Sequence, residues 1–85
     1  MKAMILQYMS ELIESNDTEE KTKLKDHLVE LINLAKLDLD AVKENHTKKL
    51  IIATIKNYAA SDDAALRSAL IEHAKTLNKL LYNYC

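Results

Sequence analysis

His27, His46, His73 and Cys85 are the side chains of this chain best suited to hold a metal ion. A protein zinc site is usually anchored by a close pair of ligands, a few residues apart on one turn or one helix face. No two of these four residues form such a pair, so no metal and no cofactor are expected. The carboxylates offer Asp62-Asp63 and the run Asp38-Leu39-Asp40. Both suit helix starts and solvated surface better than general acid–base work, because neither comes with a base, a nucleophile or an apolar pocket in its local sequence. No serine or cysteine has an identifiable base partner. The chain has no glycine, which removes most backbone nests for phosphates and oxyanions. An enzyme is therefore not expected, nor is a small-molecule substrate.

Two of these residues have further readings. Cys85 is the last residue, whereas a prenylation box needs its cysteine at the position held by Tyr82. A lone cysteine makes no internal disulfide, which fits a reducing compartment and a cytoplasmic location. His73 lies on an apolar seam, where it is either a hydrogen-bonded boundary residue or a pH-sensitive contact.

The elements that carry these residues follow from what is missing. With neither glycine nor proline in 85 residues, the chain lacks the usual means of making tight hairpin turns. A β-rich fold is excluded on that ground. An apolar content of 48% excludes disorder. The expectation is all-α: one domain over residues 1–85, a small bundle of three or four helices. Such a bundle has a small core, so completion by homodimerisation is expected.

The first helix carries the stripe Met4, Ile5, Tyr8, Met9, Leu12 and Ile13, spaced to share one face. Ser15 to Thr18 interrupts it, and Asp17 is placed to cap the next helix, with Glu20 in capping-box position. The second helix is expected to be long, with a stripe through Leu24, Leu28, Leu31, Ile32, Ala35, Leu39 and Val42. Asn45-His46-Thr47 is the favoured break, although Glu44 and Lys48 at i, i+4 would support an unbroken helix there. A third helix buries Ile51, Ile55 and Tyr58, with Ile52 widening the face. Ser61 then supplies a cap followed by two acids, and Asp63 and Arg67 make an i, i+4 pair. The fourth helix carries Leu66, Leu70, His73, Leu77, Leu80 and Tyr84 at alternating steps of four and three, a heptad seam. No internal repeat is evident.

The net charge is −1, and it is uneven. Residues 1–44 hold ten acids and six bases, while residues 45–85 hold three acids and six bases. Lys48, Lys49 and Lys56 make the most basic locale, too small for a nucleic-acid footprint. Glu11 and Glu14 give the first helix the wrong sign for anionic lipid, and no apolar run approaches a membrane span. Met4 to Met9 is too interrupted for a targeting segment. Eleven lysines against one arginine suit an AT-rich coding sequence.

These exclusions leave binding. The expected function is that of a small regulatory or adaptor protein acting through a helical face. Its expected partner is another protein or a second copy of itself. The candidate interface is Leu66, Leu70, His73, Leu77, Leu80 and Tyr84, supported by Met4, Ile5, Tyr8 and Met9. An inhibitor or immunity-type protein, phage- or plasmid-encoded, is the alternative, and a DNA-binding regulator using Lys48, Lys49 and Lys56 is the third.

Overall fold

The computed structural model describes residues 2–81 and contains four helices: α1 Lys2–Glu14, α2 Thr18–Leu34, α3 Ala41–Ala60 and α4 Ala64–Leu80. Each helix packs on two others in the cyclic order α1–α2–α3–α4–α1. Three-residue connections join α1 to α2 and α3 to α4, short enough to turn the chain straight back on itself. Among the described residues none has a positive φ. The turns instead use extended residues: Ala35, Ser61 and Leu81 follow their helices at ψ near 130–155°.

The starts of α2, α3 and α4 are set by aspartate. Asp17 accepts a hydrogen bond from the Glu19 N–H, Asp40 from that of Lys43 and Asp63 from that of Ala65. Each thus satisfies one of the orphan donors of a first turn. Asp17 caps α2 as expected, but its bond goes to Glu19 rather than to the capping-box position of Glu20. Ser61 closes α3, and Asp63 rather than Ser61 opens α4. The three caps are 23 residues apart, and burial follows the same period. Ile5, Leu28 and Ile51 are buried, as are Met9, Ile32 and Ile55, and Leu12, Ala35, Tyr58 and Leu81. The three cap aspartates and the apolar sets Ile5, Leu28, Ile51 and Met9, Ile32, Ile55 carry this spacing in the sequence itself, against the expectation of no internal repeat.

The break between α2 and α3 lies at 35–40 and not at Asn45-His46-Thr47, which sits inside α3. The cause is a set of contacts distant in sequence. Leu37 leaves the helical path to bury its side chain in the core. Its N–H donates to the Glu44 carboxylate at 2.7 Å. The neighbouring Asp38 N–H donates to the Leu80 carbonyl at 2.8 Å, and Leu37 pairs with Leu81 as a single β-bridge. Lys48 donates to the Asn33 carbonyl at 3.3 Å and lies 4.0 Å from Glu44. The low helix propensity of Asn, His and Thr costs only about 0.7 kcal/mol or less per residue. Burying a leucine returns about 1.5–3 kcal/mol, so the break moves to where Leu37 can plug the core. Val42, expected on the α2 stripe, is instead 80% exposed on α3.

Candidate protein-binding surface

The fourth-helix seam is divided by the fold. Leu70 and Leu77 have no accessible surface within the single chain, while Leu66, His73 and Leu80 are half-buried. Tyr84 lies outside the described residues. On α1, Ile5 and Met9 are fully enclosed, Tyr8 is half-buried and Met4 is 49% exposed. The heptad spacing of α4 thus faces α1 and α3 of the same chain. Of the ten residues expected at an interface, Met4 and the outer edges of Tyr8, Leu66, His73 and Leu80 remain reachable.

His73 spans the α3–α4 contact. The Thr54 hydroxyl donates to the Leu50 carbonyl at 3.0 Å, and its oxygen lies 3.2 Å from His73 Nε2. Assigning the hydroxyl proton to the Leu50 carbonyl makes Nε2–H the tautomer that completes this contact, with Nε2 donating to Thr54. Burial holds the His73 pKa below its ordinary value of 6.5, because a charged ring would lose hydration there.

A different exposed face joins α1 and α2. The Tyr8 and His27 rings stack with centroids 5.8 Å apart. Met4 lies one turn before Tyr8 on α1, and Leu31 and Leu34 lie one and two turns after His27 on α2. Leu34 is 68% exposed. The stacked ring pair and the solvent-facing side chains of Met4 and Leu34 leave apolar surface of α1 and α2 outside the core. His27 and Leu34 were not expected here. The signal for them is faint: Leu34 lies just off the α2 stripe, a position that sequence alone assigns equally to a second bundle neighbour.

The most polar constellation is at the opposite end of the bundle. Lys21 is almost fully buried, paired with Asp62 of the α3–α4 turn, and its ammonium sits 4.1 Å from the centre of the Tyr58 ring. Tyr58 Oη donates to the Ile13 carbonyl at 3.3 Å, and Arg67 Nε donates to the same oxygen at 3.2 Å. Arg67 reaches α1 in place of the expected pair with Asp63. A cleft of about 390 Å³ opens beside these groups, between Glu14, Asn16, Asp62 and Arg67. The Lys21 ammonium, the Tyr58 hydroxyl and the Arg67 Nε are each engaged within the protein, and the arrangement fastens α1 to α4 and α2 to the α3–α4 turn. Sequence gave one clue to Lys21: it extends the Leu24–Leu28 stripe back by one turn.

Among the described residues no group of three His, Cys, Asp or Glu side chains is placed to hold a metal ion, and no helix is long and apolar enough to cross a membrane. No family model, curated protein or solved structure matches the chain.

Proposed function

We propose that this is a small non-enzymatic regulatory or adaptor protein of the reducing cytoplasm that works by protein–protein binding, and that it self-associates through the α1–α2 face. The observation that carries this reading is the Met4–Tyr8–His27–Leu34 surface, where apolar side chains stay exposed although the chain's own core is closed. A two-fold pairing of that face with its copy buries the same apolar residues on both sides. It also adds burial to a fold whose own core is small.

The test is solution molar mass by light scattering over a concentration series under reducing conditions, for the wild type and for Met4→Asp with Leu34→Asp. A wild type at twice the chain mass, with the double variant monomeric and still helical, supports the reading. A wild type that stays monomeric at every concentration removes it.

A further inference from the structure

The outer side of α3 has a pattern that the bundle does not use. Val42, His46, Lys49, Ala53, Lys56 and Ala60 recur at steps of four and three, and all are exposed. Three of the six positions are polar or charged, so this is a mixed basic and aliphatic face turned to solvent rather than an apolar heptad seam. Val42 is 80% exposed, and Leu50 beside the stripe is 52% exposed. Between Asn45 and Ser61 there is no acidic residue at all. Lys49 and Lys56 form no ion pair among the described residues, as is also true of Lys2, Lys36 and Lys79, but they are the two that share one face of one helix within this acid-free stretch. Glu44, the one acid on α3, is held inward by the Leu37 N–H and Lys48.

We propose that the outer face of α3 docks an acidic amphipathic helix of a partner protein. Charge complementarity selects the partner: its acidic flanks meet Lys49 and Lys56, and its apolar seam meets Val42, Ala53 and Leu50. Nucleic acid is the poorer occupant. The face lacks arginine, the side chain that forks onto base edges and phosphates, and it presents aliphatic surface that a phosphate backbone does not cover. This surface is separate from the α1–α2 face, so a self-associated pair would present two such docking helices, the arrangement an adaptor requires.

The experiment is a backbone-amide NMR titration of the whole chain with three probes. These are a leucine-seamed helical peptide of roughly 20 residues flanked by glutamate, the same peptide with lysine for glutamate, and a short DNA duplex. Expected is saturable binding of the glutamate peptide, with shifts confined to Val42–Ala60 and the adjoining side of α4. Binding should weaken about tenfold in Val42→Asn with Leu50→Asn, which tests the apolar seam. It should weaken and lose salt dependence in Lys49→Gln with Lys56→Gln. All four substitutions are at exposed positions, and an unchanged thermal melt confirms the fold. Met4→Asp with Leu34→Asp should retain full peptide binding, which separates this surface from self-association. The proposal is overturned by shifts centred elsewhere, by an apolar double variant that binds as well as wild type, by tighter binding of the lysine peptide or the duplex, or by no binding of the glutamate peptide.

Discussion

Removing the exposed member of the Lys21–Asp62 pair should cost more than removing the buried one. The side chain of Lys21 is 3% exposed and that of Asp62 is 75% exposed. In Asp62→Ala the ammonium loses its carboxylate and keeps the Tyr58 ring beside it. Breaking a fully buried pair from one side costs about 3–5 kcal/mol, which is an upper bound here because Asp62 is mostly exposed, and a desolvated cation–π contact of about 2 kcal/mol offsets part of it. The net expectation is a loss of at most about 1–3 kcal/mol. In Lys21→Met the charge leaves, the apolar stem is replaced by one of similar length, and Asp62 is already hydrated. That change should stay within about 1 kcal/mol of wild type, as volume-conserving replacements of buried ions do. Urea titration followed by circular dichroism at 222 nm measures both, and about 1 kcal/mol corresponds to roughly 4–8 °C in Tm for a chain of this size. A larger loss in Lys21→Met than in Asp62→Ala would refute the reasoning, since the pair would then be a net source of stability and not a charge kept tolerable by its partner.

Leu77→Ala and Leu70→Ala should each lose about 2–5 kcal/mol, enough to unfold much of a small bundle, and far-ultraviolet circular dichroism with light scattering will show loss of helix rather than dissociation of intact subunits. Asp40→Ala should lose about 0.5–2 kcal/mol through the α3 cap, read as a lower urea midpoint. His73 binds a proton less readily folded than unfolded, so its contribution is complete above the unfolded value of 6.5 and is lost as pH falls toward the lower folded value. The stability of wild type relative to His73→Asn should therefore decline on acidification from about pH 7 to about pH 5, and a difference that stays flat across that range excludes His73 as its source. Ala35→Gly should destabilise by about 0.5–1 kcal/mol despite standing just after a helix, because Ala35 has φ −73° and no left-handed strain for glycine to relieve.

The parts of this fold legible in sequence are those set within one turn of helix. The Asp17 cap, the Ile51–Ile55–Tyr58 face and the Ile5–Met9–Leu12 part of the α1 stripe each depend on spacing along a single element, and each is where spacing puts it, whereas Met4 at the edge of that stripe is turned largely to solvent. The α4 seam was legible as a packing surface, but spacing does not name the partner. Leu70 and Leu77 meet the same chain, because four helices of this length already enclose a core without help from a copy. The exposed candidates escaped for the complementary reason. Leu34, Val42 and Leu50 are aliphatic residues that any stripe analysis assigns inward, and only the position of the 35–40 loop turns Val42 to solvent.

That loop shows why a chain without glycine is harder to divide than one with it. A helix usually ends by letting a glycine adopt the left-handed conformation, so that two backbone N–H groups return to its last carbonyls. Here that route is unused, and later parts of the chain reach carbonyls in the last turns of the first two helices. Ile13, next to the end of α1, accepts from Arg67 Nε and the Tyr58 hydroxyl. Asn33, next to the end of α2, accepts from Lys48 Nζ. A cation at that position also opposes the negative end of the helix dipole. The donors are 15 to 54 residues away from the carbonyls they satisfy, so no local window of sequence contains both. The starts of α2, α3 and α4 are written locally, in three aspartates, while two of the chain's helix stops are completed in tertiary structure. The last turns of α1 and α2 have local closing bonds from the Ser15 and Ala35 N–H groups. The remaining carbonyls at Ile13 and Asn33 are satisfied only when α3 and α4 are in place, so where these helices stop is set in part by the assembled bundle.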